Sequence, residues 1–431
     1  MKEYSIGTKC VQAGYAAGNG EPRQIPIIQS TTFKYDTSED MGKLFDLEAE
    51  GYFYSRLQNP TCDTVARKIA AMEGGTAAML TSSGQAANFY AMFNICECGD
   101  HIVASSSIYG GTFNLIAVTM AKMGITATFV SPDATEEELN AAFRPNTKLM
   151  FGETIANPAL TVLDIELFAK VAHEHGVPLI VDNTFPTPVN CRPIEWGADI
   201  VTHSTTKYMD GHGATLGGAI VDSGKFDWMA HADKYPGLCT PDDSYHGITY
   251  AEKFGKEGAF ITKCTAQLMR DFGSMQSPQN AFLLNVGLET LHLRVPRHCE
   301  NALKVAQYLK NHEKVKNRQN SSQQEINLEQ RKWLEDKIIE YAMRWESIMK
   351  VHANGFTVRD MKTRWGSCSI HSKKIRMNLQ LAVKSEECVE YVLVHELCHL
   401  LEPSHNQRFY DLMSHFLPDW RERKQKLNEK V

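Results

Sequence analysis

The chain has no apolar run long enough to cross a bilayer, which excludes a membrane-spanning helix of about 20 residues. Its first ten residues, MKEYSIGTKC, contain no apolar core segment, so no secretory signal is expected there. The 11 cysteines are scattered without a disulfide-like spacing, as is typical of reduced intracellular thiols. Internal repeats are also absent. We therefore expect a globular cytoplasmic protein with no membrane partner.

Positive charge is scarce in most of the chain and in slight excess near its end. The overall net charge is −6, but residues 316–431 carry 20 Lys and Arg against 16 Asp and Glu, a net of +4. Residues 1–315 therefore carry −10. A change of sign supports a domain boundary near residue 315, and 431 residues exceed one ordinary core. Because the basic residues of this segment are interspersed with acidic ones, its net charge of +4 does not indicate a nucleic-acid partner, and we expect none.

Residues 76–222 alternate short apolar runs with longer amphipathic segments, which predicts an α/β fold with a mainly parallel sheet. DIELFAKVAHEHG, at 164–176, is a typical helical segment, and residues 277–310 are predicted to form helix in two pieces separated by Pro296. The predicted buried strands are TAAMLTSS, HIVASSS, ATFVSP, KLMFGE, VPLIVDN, DIVTHS and GGAIV.

The pattern changes after Val315. Residues 316–330 are almost devoid of apolar side chains and predict a linker. Apolar residues then recur at helical spacing over 330–352, and IRMNLQLAV at 375–383 alternates as a half-buried strand does. A second domain over 331–431 is therefore expected.

Three features of the first region suit one cofactor. TSSGQAANFYAMF at 81–93 is a strand end, a glycine turn and a helix start, which together form a typical phosphate seat. Asp182 ends an apolar strand, where open α/β sheets bind ligands. Lys207 follows another strand, among hydroxyl residues, as a Schiff-base lysine would. A phosphate seat, an acidic partner for a ring nitrogen and a lysine are what pyridoxal phosphate requires.

Several motifs carry a specific resemblance: YSRLQNPT at 54–61, SSGQAA at 82–87, SSSIYGGT at 105–112, ETIANP at 153–158, VDNTF at 181–185 and HSTTKY at 203–208. They resemble the Cys/Met-metabolism family of pyridoxal-phosphate enzymes, and within it the O-acetylhomoserine sulfhydrylases. The resemblance extends to about Val315. It implies an N-terminal arm at 1–60, an aspartate-aminotransferase-type (fold type I) large domain at 61–255, and an incomplete small domain at 256–315.

The resemblance also implies roles for individual residues. Lys207 and Tyr109 would be catalytic, with Lys207 covalently bound to the cofactor and moving protons, and Tyr109 stacked on its ring. Tyr54 and Arg56 would reach the phosphate of a neighbouring subunit, so a homo-oligomer, dimer or tetramer, is expected. The implied cofactor-binding set is Tyr54, Arg56, Ser83, Gly84, Gln85, Tyr109, Asn157, Asp182, Ser204, Thr206 and Lys207.

The implied reaction is γ-replacement, in which acetate leaves O-acetylhomoserine and sulfide or a thiol adds to give homocysteine for methionine synthesis. Gly111 stands where methionine γ-lyases carry a cysteine, which favours the sulfhydrylase. The alternative is a lyase-type enzyme resembling methionine γ-lyase or cystathionine γ-synthase. The family's sheet with its substrate-binding arginine has no counterpart after residue 315, so we expect cofactor binding to survive better than substrate turnover.

VHELCHLLEPSH, at 394–405, predicts a metal site in the second region. The surrounding helix is apolar on nearly all sides, so polar groups within it need partners. His395 and His399 lie one turn apart on the same face, where they suit a zinc ion, and Glu396 suits a general base. Pro403 predicts a turn after which His405 returns as the third ligand.

MKTRWGSCS at 361–369, IRMNLQLA at 375–382, the segment 391–413 and LPDWRERKQKLN at 417–428 resemble the SprT-like, YgjP-type zinc metallopeptidases. The resemblance covers residues 326–431 and implies a small α+β zincin-like domain. It implies Zn²⁺ held by His395, His399 and His405, with Glu396 as the base. The strand 375–382 would run beside the helix and receive a peptide substrate by strand addition.

Three hypotheses about function follow. One is a pyridoxal-phosphate transferase, the second is a zinc metallopeptidase, and together they would form a two-module chain. The third is an accidental or constructed fusion of partial proteins in which only one module, or neither, is active. The predicted join inside a domain supports this third hypothesis, because natural fusions usually join whole domains.

Overall fold

The computed structural model describes residues 4–315, 328–361, 364–370 and 372–428. The chain divides into two compact units, Met1–Ala302 and Leu303–Val431. Across the described ranges, no helix combines the length and apolar character that a membrane crossing requires. The predicted segment 316–330 lies largely outside the described residues, and its last three residues belong to a helix.

The first unit is built on one seven-stranded sheet covered by helices. Its strands are β1 (Ala77–Thr81), β2 (His101–Ser105), β3 (Thr126–Val130), β4 (Thr147–Glu153), β5 (Leu179–Asp182), β6 (Ile200–His203) and β7 (Gly218–Asp222). Its α-helices are α1 (Ile6–Gln12), α2 (Ser38–Phe45), α3 (Pro60–Glu73), α4 (Gly84–Phe93), α5 (Gly110–Asn114), α6 (Glu136–Ala141), α7 (Ile165–Glu174), α8 (Thr187–Asn190), α9 (Pro236–Cys239), α10 (Tyr250–Lys263), α11 (Arg270–Phe272), α12 (Pro278–Glu289) and α13 (Leu291–Asn311), the last of which runs past the unit boundary.

The sheet order is β1-β7-β6-β5-β4-β2-β3. Strand β7 is antiparallel to both of its neighbours, and all other pairs are parallel. All seven predicted strands and the mainly parallel sheet are confirmed. Every residue of β2, β5 and β6 is buried, because helices cover both faces of the sheet. The carboxyl ends of β1, β4, β5 and β6 consequently open at one edge.

Helix positions agree with the sequence except at Pro296. The predicted helix at 164–176 is α7, whose first turn is capped by the Asp164 carboxylate accepting from the N–H of Leu167. The expected break at Pro296 is wrong. Helix α12 ends at Glu289, and α13 restarts at Leu291 and contains Pro296. Proline removes one hydrogen bond near the helix start, and its fixed φ remains compatible with helix.

From Leu328 onward, the described residues of the second unit form a three-stranded sheet and four α-helices. Its elements are α14 (Leu328–Met349), β8 (Gly355–Arg359), β9 (Gly366–Ser369), β10 (Lys374–Asn378), α15 (Glu386–Cys398), α16 (Gln407–Phe416) and α17 (Trp420–Asn428). The sheet order is β8-β10-β9, with β10 parallel to β8 and antiparallel to β9. The predicted helix over 330–352 is confirmed as α14, although it begins at Leu328 and ends at Met349.

One core joins these elements. Leu334 and Ile338 of α14, Ile375 of β10, Leu393 of α15 and Phe409 of α16 are all almost fully buried in it. The predicted strand 375–383 is wrong in its second half, because β10 ends at Asn378 and residues 379–383 form a 3-10 turn. The Asn378 side chain accepts from the N–H of Gln380 and donates to the carbonyls of Met361 and Arg364, which stabilises the turn.

Candidate functional site

A cavity of about 630 Å³ opens at the carboxyl ends of the strands in the first unit. Open α/β sheets bind their ligands at this edge. Nine of the eleven predicted cofactor-binding residues line it: Ser83, Gly84, Gln85, Tyr109, Asn157, Asp182, Ser204, Thr206 and Lys207. The structure therefore brings together groups that lie more than 120 positions apart in the sequence.

The predicted phosphate seat, the first turn of α4, forms one end of the cavity. The Ser83 hydroxyl caps this helix by accepting from the N–H of Ala86, and the N–H groups of Gly84 and Gln85 have no acceptor within the helix. A β-carbon at Gly84 would come within 2.5 Å of the Ser204 β-carbon, so only glycine allows this close approach. The turn suits a phosphate. The Thr206 hydroxyl, by contrast, already exchanges hydrogen bonds with the backbone of Gly217.

Asp182, at the end of β5, is held by three donors. Its carboxylate accepts from Asn88 Nδ2 at 3.1 Å, from the Thr184 hydroxyl at 2.5 Å and from the Thr184 N–H at 3.0 Å. It is 8% exposed. A buried carboxylate fixed in this way is suited to face a protonated ring nitrogen.

Glu153 is a second carboxyl in the cavity and lies beside Asp182 on the neighbouring strand. It accepts from the backbone N–H of Tyr109 at 2.6 Å. Burial, reinforced by the negative charge of Asp182, raises the pKa of Glu153 to about 8, although the N–H groups of Tyr109 and Asn157 oppose the rise. Glu153 therefore holds its proton more tightly than an exposed carboxyl does.

Glu153→Gln is expected to stabilise the first unit increasingly as pH rises. Since folding raises the pKa of Glu153 from 4.5 to about 8, its contribution to stability is complete below pH 4.5 and is lost as pH approaches 8. The amide stays neutral and still accepts from the N–H of Tyr109. The Tm of the variant, measured by calorimetry at pH 5 and pH 8, should exceed that of the parent more at pH 8.

The matched control is Glu137→Gln on the exposed face of α6. Its Tm should differ from that of the parent by the same small amount at both pH values. A constant difference for Glu153→Gln as well would show that Glu153 titrates as an ordinary exposed carboxyl.

Lys207 and Tyr109 are both solvent-exposed on the wall of the cavity. Lys207 forms no ion pair with any residue that the structure describes, so its amine remains accessible to a ligand. A β-carbon at Gly111 would collide with the Tyr109 ring, which shows how closely that ring lies over the start of α5. His298, on α13, also lines the cavity.

Tyr54 and Arg56 do not line this cavity. Arg56 donates to the carbonyl of Arg270 and lies 5.1 Å from the Tyr54 ring centroid, in a separate pocket with Phe45 and Tyr245. Their predicted role toward a neighbouring subunit therefore stays a prediction.

The second unit brings His395, His399 and His405 together, with their potential ligand nitrogens all within 4.8 Å of one another. His395 Nε2 and His405 Nε2 are 3.0 Å apart, close to the spacing of about 3.3 Å between nitrogens that share a tetrahedral zinc. His399 Nδ1 lies 3.3 Å from the carbonyl oxygen of Glu402, which leaves Nε2 for a metal. The buried Phe409 ring lies beneath all three imidazoles.

The electrostatics of this cluster suit a cation. Burial and the charges of neighbouring groups lower the pKa of His395 to about 3, and burial also lowers the pKa of His399. Both imidazoles are therefore neutral at pH 7, as metal ligands must be. Helix α15 ends at Cys398, earlier than the predicted Glu402, and His399 is its C-cap residue. The chain then turns, and His405 returns to the cluster as expected.

Glu396 lies next to the cluster and is 5% exposed. Burial raises the pKa of its carboxyl to about 7, while the charge of Arg364 and the N–H of Cys368 oppose the rise. A β-carbon at Gly366 would come within 2.7 Å of Glu396 Cγ and Oε1. Strand β9 therefore holds this carboxyl, through a missing side chain at Gly366 and a backbone donor at Cys368.

The predicted strand for peptide addition is wrong. Strand β10 is paired on both sides and has no free edge, whereas β9 is an edge strand and lines a cavity of about 480 Å³ beside the histidines. The alternation of residues 375–383 indicated a strand but carried no information on its neighbours. Trp365 and Cys368 line the same cavity and are half-buried.

Four functional residues were missed by sequence reasoning. Asn88 and Thr184 hold Asp182, Glu153 holds Tyr109, and Phe409 supports the histidines. Two local signals were available. Asn88 lies one turn after Gly84 on an otherwise apolar helix, and Thr184 follows Asp182 at the spacing of an Asx turn. Glu153 and Phe409 depend on strand and helix neighbours that no local pattern reveals.

A mainly parallel sheet, with a lysine, an aspartate and a helix N-terminus at its carboxyl edge, defines the class of pyridoxal-phosphate-dependent enzymes of fold type I. The model of the family "Cys/Met metabolism PLP-dependent enzyme" matches residues 7–366. The chain belongs to that family. The match passes the expected end near Val315 and includes α14 and β8, whereas residues 367–431, with the histidine cluster, lie beyond it.

The relatives agree with this assignment. The chain is 47% identical over 289 residues to homocysteine/cysteine synthase of Kluyveromyces lactis, covering 67% of this chain and 65% of that protein. It is 45% identical over 317 residues to O-acetyl-L-homoserine sulfhydrylase of Corynebacterium glutamicum, covering 73% and 72%. A Campylobacter jejuni O-acetylhomoserine (thiol)-lyase with N'-pyridoxyl-lysine-5'-monophosphate superimposes with TM-score 0.70 at 35% identity, covering 72% and 76%.

Proposed function

We propose that the first unit catalyses γ-replacement on O-acetylhomoserine, with sulfide or a small thiol as the acceptor and homocysteine or its thioether as the product. The observation that carries this proposal is the convergence of Lys207, Asp182 and the first turn of α4 on one cavity. The names of the relatives supply the substrate. The domain boundaries at 60, 255 and 315, and a homo-oligomer that brings Tyr54 and Arg56 to a partner cavity, belong to the same proposal.

Each residue has a defined task in this reaction. Pyridoxal phosphate, when bound, supplies the electron sink that makes the α- and β-hydrogens of the amino acid acidic. Lys207 Nζ carries protons between these carbons, because its amine is free of ion pairs with the described residues. Asp182 faces the ring nitrogen from the end of β5, where Asn88 and Thr184 fix its orientation. Tyr109 covers the exposed side.

This site offers few groups that could bind the carboxylate of the amino-acid substrate. No arginine lines the cavity within the described part of the chain, and the other nitrogen bases on its wall are Lys207 and His298. A bidentate arginine contact is among the strongest carboxylate interactions in proteins. We therefore expect a high KM for the amino acid, with cofactor binding intact.

The test is product analysis on purified full-length protein loaded with pyridoxal phosphate. O-acetylhomoserine and sulfide should give homocysteine and acetate. Release of 2-oxobutyrate and ammonia without thiol incorporation would instead favour the γ-lyase alternative. Neither product, with cofactor bound, would show that the first unit binds its cofactor without performing this reaction. Zinc content measured on the same sample tests whether both units are functional or whether the chain is a fusion with one inactive part.

We also propose that the second unit hydrolyses peptide bonds with Zn²⁺. The observation that favours it is the triad of imidazoles His395, His399 and His405 with a buried carboxyl beside them. The donor set fits zinc, since three nitrogens leave a fourth tetrahedral position open for catalysis. The ion, when bound, polarises the substrate carbonyl and activates water. Glu396 accepts the proton from that water and delivers it to the leaving amine, and an extended substrate pairs with the free edge of β9.

Gly366→Ala is expected to lower peptide hydrolysis by about 100-fold, the usual cost of displacing a catalytic group by about 1 Å. The new β-carbon would push against Glu396, whereas the three histidines remain untouched. Zinc content should therefore stay at the parent value while kcat/KM falls. Cleavage of a quenched fluorescent peptide and metal analysis of the same sample measure the two effects.

Ser367→Ala is the control, because this residue also lines the cavity, whereas the close approach to Glu396 is made at Gly366. It should keep both zinc and activity. Unchanged hydrolysis in Gly366→Ala would argue against Glu396 as the base.

A further inference from the structure

We propose that the cavity beside the histidine cluster selects substrates by a carboxylate group, which Arg364 and Lys424 receive. The inference rests on the proposed hydrolytic function of the second unit and names its substrate class: peptides with an acidic residue, or with a free C-terminal carboxylate, near the cleaved bond. Both sources present the same anion, and the experiment below separates them.

The two cations come from different elements. Arg364 immediately precedes Trp365 and β9, and Lys424 lies on α17. Both line the cavity of about 480 Å³ that also contains His395, Glu396 and Tyr391. Both side chains are exposed, so they face solvent that a substrate would displace. An anion between them would also lie next to the metal position.

The charges of these two residues are not compensated within the described chain. Neighbouring cations of α17 are paired: Arg423 binds Glu390 at 2.6 Å and Lys426 binds Glu387 at 2.8 Å. Lys424, between them, belongs to none of the ion pairs formed by the described residues, and the same holds for Arg364. Lys424 has an aromatic contact instead, 6.0 Å from the Trp420 ring centroid.

The cavity has too few acidic groups to neutralise the charges of Arg364 and Lys424. Glu396 is the sole carboxyl among the described residues that line it, and that side chain is committed to the N–H of Cys368. A divalent ion would add further positive charge.

A cavity with two uncompensated cations attracts anions and repels basic side chains. Hydrogen bonds to a charged partner stabilise a complex more than neutral ones do, and a guanidinium binds carboxylates in a defined plane. The apolar wall of Trp365, Ile370 and Leu427 supplies contact area but does not distinguish acidic from basic substrates. Charge is therefore the property by which this cavity distinguishes substrates.

The experiment compares three N-acetylated hexapeptides on the full-length protein, both zinc-loaded and zinc-free. One has a central Asp and an amidated C-terminus, the second has Asn in its place, and the third has Asn and a free C-terminal carboxylate. Affinity is measured by calorimetry and by the fluorescence of tryptophan. Cleavage is measured separately by mass spectrometry. We expect a carboxylate peptide to bind at least about tenfold more tightly than the neutral one, as one charge-assisted contact supplies.

The double variant Arg364→Ala/Lys424→Ala should abolish this preference. Its control, Arg376→Ala/Lys332→Ala, removes the same charge from exposed positions of β10 and α14 outside the cavity and should retain the preference. Preference for the Asp peptide identifies a side-chain carboxylate, and preference for the third peptide identifies a free C-terminus.

Equal affinity for all three peptides, no binding of any, or an unchanged preference in the double variant would each overturn the proposal. Selective carboxylate binding without cleavage would leave carboxylate recognition standing and refute the hydrolytic function. Cleavage of the peptides without selectivity for a carboxylate would support the hydrolytic function and refute carboxylate recognition.

Discussion

Lys207→Ala is expected to abolish covalent attachment of pyridoxal phosphate and the yellow colour of the protein. Lys207 follows β6 and is the lysine that lines the cavity among the described residues. Asp182 and the first turn of α4 lie in the same cavity and would still receive the ring and the phosphate. The cofactor would then bind only without a covalent link, and γ-replacement should fall at least about 10³-fold, because nucleophile and proton carrier are lost together.

The decisive measurement is the mass of the protein after borohydride reduction. The parent should gain one pyridoxyl group, and Lys207→Ala should gain none. Lys122→Ala, which removes an exposed lysine outside the cavity, is the matched control and should behave as the parent. A pyridoxyl group retained in Lys207→Ala would assign the cofactor to another lysine and refute the role given to Lys207.

The sheet of the first unit was predictable because its strands are buried on both faces. Such strands appear as continuous apolar runs bounded by polar residues, as LIVD and IVTH do before Asn183 and Ser204. The same rule located the candidate site. Residues that directly follow parallel strands meet at one edge, which brings Asp182 and Lys207 together without any knowledge of the strand order.

The partners of these residues were not predictable in the same way. Glu153 acts on Tyr109 and Asp182 because β4 happens to lie beside β5, a fact of strand order that no local pattern contains. The resemblance placed Thr206 in the cofactor-binding set, yet its hydroxyl donates to the carbonyl of Gly217. Sequence patterns identify which residues reach a site, and packing decides what each of them is free to do.

The second unit shows the same division. The spacing of His395 and His399 fixes their common helical face, and Pro403 correctly predicts that the chain turns before His405, although the helix itself already ends at Cys398. The alternation of residues 375–383 could not distinguish a central strand from an edge strand. Because β10 is central, the free edge beside the site belongs to β9, a segment of four residues too short for periodicity to reveal.

His399→Ala is expected to remove zinc from the second unit, from one ion per chain to almost none. Removing a residue that only hydrogen-bonds to a metal ligand typically lowers metal affinity about 10–100-fold. Removing one of the three ligands themselves should lower zinc affinity by more than that. His395 and His405 alone would leave two imidazoles 3.0 Å apart, a pair that binds divalent ions weakly. Metal analysis after dialysis against a weak chelator measures the stoichiometry directly.

His415→Ala, an exposed histidine of α16 outside the cluster, is the control and should retain one zinc ion per chain. The two variants remove the same side chain from the same unit, so a difference between them isolates the cluster. The colour from pyridoxal phosphate should be equal in both, because Lys207 is unchanged. Equal zinc in His399→Ala and His415→Ala would refute the metal centre and, with it, hydrolysis by the second unit, while γ-replacement by the first unit would remain open to its own test.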